Sequence, residues 1–193
     1  MEKYRRKILQ TAKEEFSEKG FTASSLESIA SRAGLDHSIV RALFVDKNRL
    51  FKAVLTDMVE PVLAAVTIAV EKIEDPKQFI RKSLTLADGW LSANPEYVQL
   101  IQRCLLEQSC DLQSIFECTV FPSDYYARLK GMINRNQLRN TDIMQLDLLF
   151  DSLIFYPHMI RPHLEKIYQN ESLEMCLTSR VDAIMDVLEN GLF

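Results

Sequence analysis

The chain has 193 residues, of which 47% are hydrophobic and 26% charged, with few Gly and Pro. That is the composition of an ordinary soluble globule, long enough for one or two domains and a sizeable core. The net charge of −4 does not by itself point to nucleic acid, yet it is unevenly spread. Residues 1–50 carry ten Lys and Arg against seven Asp and Glu, and the remainder carries thirteen against twenty. A basic head on an acidic body suits local DNA contact, the field of the body discouraging non-specific adhesion.

In chain order, the spacing predicts a first helix over residues 3–19. Ile8, Ala12 and Phe16 recur every four residues with Leu9 beside them, Gly20 ends the helix, and Phe21 packs back on it. Lys3, Arg5, Arg6 and Lys7 open it as a basic start, either a solvated helix end or an arm reaching phosphates. Ser24 to Phe44 then reads as two short helices around a tight turn. Ser24 and Ser25 supply capping oxygens; Leu26, Ile29, Ala30 and Ala33 form one apolar face. Gly34 takes the left-handed turn, Asp36 caps the next helix, and Val40 with Leu43 or Phe44 forms its buried side. Ser38 and Ala42 lie farthest from that side, with His37 and Arg41 nearer the margin. Such a helix shows imidazole, hydroxyl and guanidinium groups to solvent, donors suited to base edges and phosphates.

The flanks carry a wider pattern. Arg5, Arg6, Ile8, Leu9, Ala12, Phe16, Gly20 and Phe21 precede the helix pair, and Phe44, Asp46, Lys47 and Leu50 follow it. Over residues 5–50, without a gap, this resembles the N-terminal domain of the TetR/AcrR family of bacterial repressors. Four positions depart from the family pattern: Ser38 stands where a Gly is usual, Arg41 where a Tyr is usual, and Ala42 and Leu43 where His or Tyr is usual. Arg41 either replaces the usual phosphate clamp or reads a base. The resemblance implies an all-α fold, with a three-helix helix-turn-helix DNA-binding head (residues 1–46) and a C-terminal helical ligand-binding and dimerisation domain (residues 47–193). The candidate DNA-contacting residues are Ser24, Ser25, Asp36, His37, Ser38, Arg41 and Lys47, the last standing where the family has its phosphate-contacting lysine.

A helix capped by Asp46 follows, with Leu50, Val54, Met58, Val62 and Val66 along one stripe. It is read as a connector from head to body, either kinked at Pro61 or a rigid strut. Asp75–Pro76 and Asn94–Pro95 each look like a cap followed by a first helical position. Pro122–Ser123–Asp124 starts another helix, and the polar break from Asn136 to Asp142 resembles the family's Gly-x-Leu-Arg-x-x-Asp with Asn136 in place of the glycine. Pro157 and Pro162 should disturb the helix that begins at Ile143. Leu173, Leu177, Val181, Ile184 and Leu188 form the last stripe, before Gly191. The wide apolar faces of 143–156 and 172–190 suit a homodimeric four-helix interface, which the resemblance also implies.

Aromatic weight in the middle helices, with few polar anchors, suggests a small-molecule pocket. The candidate ligand-binding residues are Trp90, Tyr97, Phe121, Tyr125, Phe150 and His158, with Phe116, Tyr126, Phe155 and Tyr156 nearby in sequence and Gln102 and Arg103 as further polar partners. Cys104, Cys110, Cys118 and Cys176 lack metal-ligand spacing and are expected as reduced thiols. No catalytic motif, phosphate-cradling glycine loop or metal set is present, so no enzyme, cofactor or metal is expected. Met1 to Lys7 has no apolar segment behind it. The longest apolar run, Pro61 to Val70, is shorter than the roughly 20 residues of a membrane span, so a cytoplasmic location is expected. The functional expectation is a ligand-responsive dimeric transcription regulator, a repressor binding a palindromic operator and released by an apolar or aromatic effector. The alternative is a helical small-molecule-binding protein whose head no longer reads DNA.

Overall fold

The computed structural model describes residues 1–107, 121–139, 142–168 and 175–191. Phe116, Cys110, Cys118, Leu173 and the start of the segment 172–190 lie outside the described residues. In chain order the helices are α1 (Glu2–Ala23), α2 (Leu26–Ala33), α3 (His37–Leu43), α4 (Lys47–Val70), α5 (Pro76–Ala93), α6 (Pro95–Glu107), α7 (Ser123–Asn134), α8 (Ile143–Ile167) and α9 (Arg180–Gly191). No strand occurs among the described residues. The fold is all-α, with an N-terminal helix-turn-helix head and helical C-terminal body.

Two compact units form. One takes in Met1–Pro61 and α6 from Glu96; the other takes in Val62–Pro95 and the described residues from Phe121 onward. The first is therefore larger than the head of residues 1–46, because α6 packs with it, and α4 contributes to both. Its core begins on α1, where Ile8, Ala12 and Phe16 are wholly buried at the predicted four-residue spacing. The Phe16, Phe21 and Phe51 rings meet in a cluster, edge-on at 5.0 Å for Phe16–Phe51 and 5.2 Å for Phe21–Phe51. The chain can bring Phe21 back because Gly20 adopts φ +84°, breaking the helical geometry inside α1. A Cβ there would also meet the end of the flexible Glu107 side chain, which can shift, so the φ is the constraint that requires glycine.

A charged network ties α1 to α2. The Glu15 carboxylate is buried, accepting from Lys19 Nζ at 2.7 Å and Arg32 Nη1 at 3.3 Å. Arg32 also donates to Glu18 at 2.7 Å and Glu14 at 3.3 Å. Along α6, Glu96 pairs with Lys13 at 2.9 Å, and the Arg103 guanidinium donates to the Ser17 carbonyl. Glu107 accepts from the Thr22 amide at 2.9 Å and its hydroxyl at 2.8 Å. Three polar ties thus hold α6 along α1.

The second unit packs α5 against α8 and α9, and α7 against α8. Asp75 caps α5 through the Gln78 amide (2.8 Å), and Asp142 caps α8 through the Met144 amide (2.9 Å). Asn94 differs from its expected part: its Nδ2 donates to the Trp90 carbonyl at 2.8 Å and so closes α5. Asn136 has φ +56°, the left-handed conformation for which the family pattern supplies glycine and to which asparagine is next best suited.

Three expectations are corrected. α8 runs unbroken through Pro157 and Pro162 to Ile167, since a proline removes one ladder bond but keeps a helical φ. α4 is longer than its uninterrupted apolar run. Its best 18-residue window has a mean hydropathy of 1.8, so by length and composition it meets the requirement for crossing a membrane; here Leu50, Phe51, Val54 and Leu55 are buried in protein. Cys104 is disulfide-bonded and not a reduced thiol, its partner lying outside the described residues; Cys176 is free and exposed.

Lys19, opposed by burial and helped by Ser28 and Arg32, holds the Glu15 carboxyl below its usual value of 4.5. A carboxyl depressed in the folded state contributes stability above its unfolded pKa and loses it as the pH falls through the folded value. Glu15→Gln is therefore expected to be less stable than the parent at pH 7, the difference beginning to narrow as the pH falls below about 4.5. Chemical denaturation across pH 3–7 measures this.

Candidate nucleic-acid interface and effector-domain site

The helix-turn-helix is built from caps. Ser25 and Ser28 form a reciprocal capping box, each hydroxyl accepting the other's backbone N–H at 3.0 Å. Gly34 closes α2 with φ +61°, the left-handed turn predicted for it. Asp36 opens α3, its carboxylate accepting from the Ser38 amide at 2.8 Å and from the Ser38 hydroxyl. Those bonds, the hydroxyl's foremost, hold the Asp36 carboxyl below the usual range. Val40 is fully buried while Ser38, Arg41 and Ala42 are exposed, the orientation that the helix wheel predicts.

The seven sequence-derived DNA candidates separate on this frame. Arg41 is free of any ion pair among the described contacts and faces solvent at the end of α3. Ser38 is exposed, with its hydroxyl turned to Asp36. His37 is half-exposed, its Nε2 3.0 Å from Glu27 Oε1 on α2 without hydrogen-bond geometry. Ser24 does not face outward: it is 3% exposed, and its hydroxyl donates to the Gly20 carbonyl at 2.6 Å. Ser25 is engaged in the capping box and Asp36 in its cap.

Lys47 occupies the most constrained position. Its ammonium donates to the carbonyls of Phe21 (2.7 Å), Ser24 (2.9 Å) and Thr22 (3.3 Å), and lies 4.4 Å from the centre of the Phe21 ring. An ammonium has three protons, and here three carbonyls take them. Burial lowers its pKa, against the nearby Glu107 carboxylate. The side chain expected at a phosphate thus closes the end of α1.

Neighbours outside the seven candidates add to this surface. Val45 is 62% exposed directly after α3, an apolar side chain beside the polar face. Lys7 brings its ammonium next to Gly34 at the α2–α3 turn. Lys3, Arg6, Lys7, Gln10 and Thr11 line an open groove on α1, adding cationic surface. Only the basic start of the first helix signalled this in the sequence.

The ligand candidates divide between the units. Tyr97 is buried in the unit that holds the head. Trp90, Phe121, Tyr125, Phe150 and His158 belong to the other, with Trp90, Phe121 and Phe150 half-buried. Tyr125 is at the centre of a ring cluster, stacked on Phe121 at 4.2 Å, tilted on Phe79 at 5.1 Å and edge-on to Tyr126 at 5.7 Å. Burial pushes the Tyr125 phenol up to about 12, so it remains a neutral hydrogen-bonding group. His158 is not a lone polar anchor: its Nε2 is 2.9 Å from Asp88 Oδ1 and 3.0 Å from Arg180 Nη2. Burial, reinforced by the charge of Arg161, lowers its pKa. Among the described residues, no group of three or more His, Cys, Asp or Glu is placed to hold a metal ion.

Comparison with known proteins bears on both regions. Residues 8–54 match the family described as bacterial regulatory proteins, tetR family. No curated protein matches the chain in sequence. Solved structures match nearly its whole length. The regulator FadR of Bacillus subtilis, in complex with stearoyl-CoA, aligns with a TM-score of 0.71 at 16% identity, covering 93% of this chain and 97% of that one. The fatty acid degradation regulator FadR of Bacillus halodurans gives 0.69 at 12%, covering 94% of each. A TetR family transcription regulator from Marinobacter aquaeolei VT8 gives 0.65 at 16%, covering 93% and 94%. At these identities the likeness shows the fold alone.

Loss of the Lys47 ammonium would leave three carbonyls at the end of α1 without their charged donor. Lys47→Met is therefore expected to lower the stability of the protein by about 1.5–3 kcal/mol, the usual worth of hydrogen bonds to a charged group, read by chemical denaturation. Arg49→Ala, whose side chain is 70% exposed, is the control and should change stability by no more than about 0.5 kcal/mol.

Proposed function

From a chain that carries the tetR-family head at residues 8–54 and the fold of that family's transcription regulators along its length, we propose a ligand-responsive, dimeric repressor that binds a palindromic operator. The observation that carries this is the display of α3. A capped, seven-residue helix buries Val40 beneath it and turns Arg41, Ser38 and Ala42 to solvent, with the cations of α1 beside the turn. A helix this short is held by its packing and not by its own hydrogen bonds, so its angle is a property of the whole head. One such helix reads few bases; a two-fold pair reads half-sites about 34 Å apart or a multiple of it.

The pairing surface we assign to the last two helices. Met144 (69% exposed), Leu148 (52%) and Tyr156 (58%) lie along one side of α8, and Val187 (73%) stands out from α9. Large apolar side chains on two adjacent C-terminal helices suit an isologous four-helix contact. The effector is a small apolar or aromatic molecule held by the second unit, a reading that the stearoyl-CoA in the related fold supports. Its binding tilts α4, which contributes to both units, and so alters the separation of the two heads. A tenfold loss of operator affinity requires about 1.4 kcal/mol of coupling. The second reading, a binding protein with a degenerate head, draws on Ala42, which is exposed and offers no polar group, and on the engagement of Ser38 and His37 by Asp36 and Glu27.

Selection from a randomised duplex pool at two salt concentrations, read by sequencing, decides between them. The proposed function gives an enriched palindrome; a folded dimer that enriches nothing supports the degenerate head. On the selected duplex, Arg41→Ala should weaken binding by about 1–3 kcal/mol through a lost base contact, and relax sequence preference at one position of each half-site. Equal affinity of mutant and parent would remove Arg41 from the interface.

A further inference from the structure

In the second unit, three helices converge on buried charge. Asp88 of α5 receives the Arg180 guanidinium of α9 through Nη2, and His158 of α8 sits against both. The Asp88 and Arg180 side chains keep only 14% and 12% of their surface, and that of His158 keeps 3%. A single Nε2 cannot donate to Asp88 and accept from Arg180 together. With the Nε2 proton directed to Asp88, that carboxylate serves both neighbours while Arg180 gains nothing from the imidazole.

The cluster is incomplete on one side. Among the described residues, Arg180 Nε and Nη1 are shielded from solvent and have no hydrogen-bond partner. Together they carry three of the five guanidinium protons. Buried donors of a charged group without acceptors are costly, and a native site usually supplies them. The contrast with Arg32 is direct, since that guanidinium spreads its donors over Glu14, Glu15 and Glu18. The unmatched donors of Arg180 therefore call for an acceptor beyond the described residues, a place open to a bound ligand. Asp88 indicates its chemistry, because the acceptor already in place is a carboxylate. A monoanion taking Arg180 from Asp88 adds one negative charge to the cluster, whereas a dianion would add two beside Asp88.

We propose that Arg180 anchors the acidic end of the effector, and that the effector is an apolar carboxylic acid which competes with Asp88 for the guanidinium. This rests on the ligand-responsive reading above and deepens it. Because Asp88 and Arg180 belong to different helices, the exchange removes one tie between α5 and α9, beside the Lys77–Glu189 and Arg81–Asp182 pairs that remain, and α9 is one of the two helices assigned to the dimer contact. Ligand capture and a change at the pairing surface then follow from one substitution of anions.

The test uses the full chain with decanoate and its neutral counterpart decanol, by calorimetric titration and by following the Arg180 Nε resonance in ¹⁵N-arginine-labelled protein. The expected result is at least tenfold tighter binding of the acid, with the Arg180 resonance shifted by the acid alone. Arg180→Gln should abolish the preference, while Asp88→Asn, which removes the internal competitor, should strengthen decanoate binding several-fold and leave decanol unchanged. An ion pair that only braces the helices predicts no such gain from Asp88→Asn, so this variant decides the matter even if Arg180→Gln does not fold. Equal binding of acid and alcohol, binding of neither, or an unshifted Arg180 resonance would overturn the proposal. A protein that binds both alike and still releases its operator keeps the regulatory reading and loses the acid anchor. One that prefers the acid through Arg180 but selects no operator loses the regulatory reading and keeps the anchor.

Discussion

The Lys47 ammonium meets the end of α1 where that helix has run out of its own donors. The last carbonyls of any helix lack intrahelical partners and carry the negative end of its dipole, and Phe21, Thr22 and Ser24 present three of them to one cation. Lys47 is also the first residue of α4, so the bonds that close α1 set the point at which α4 leaves the head. Glu107 completes the junction from α6 by taking the Thr22 amide, and the absence of a side chain at Gly20 leaves room for it. Three helices thus share one small set of charge-assisted bonds, next to the Ser24–Ser25 step at which α2 begins.

The head and the body treat buried charge differently. In the head, Glu15 is almost inaccessible, yet both of its oxygens have cationic partners, and the network serves packing alone. In the body, the Asp88–Arg180 pair holds α5 to α9 but leaves donors over. A well-packed protein rarely tolerates such a remainder, and where local rules are broken a functional site is the usual reason. The same logic separates the residues of α3. Groups engaged by caps, such as the Ser38 hydroxyl and Asp36, stabilise the display, and Arg41 is what the helix displays.

Local signals in the sequence were enough for most of the elements. The four-residue spacing of Ile8, Ala12 and Phe16, the glycines at 20 and 34, and the aspartates at 36, 46, 75 and 142 act within one or two turns, so their effects are readable without knowledge of the fold. Asn136 was legible only through the resemblance, which sets it in a glycine's place, and its left-handed φ accords with that place. Pro157 and Pro162 misled because a proline's cost is local while the packing that offsets it is not. Lys47 and Ser24 were placed by position in a pattern, and a pattern carries no information on which carbonyl a side chain will meet.

What the amino-acid sequence determined by itself is therefore the helical class, the start and end of most helices, and the buried and open faces of α3, because each follows from spacing, capping and backbone freedom over a few residues. Only the tertiary structure decided that Lys47 turns inward to three carbonyls, that Tyr97 packs with the head while Tyr125 packs in the body, and that Asp88, His158 and Arg180 meet. Those three lie on separate helices, 70 and 22 residues apart in the chain. Their union depends on how three apolar stripes pack, a long-range outcome that no local signal encodes.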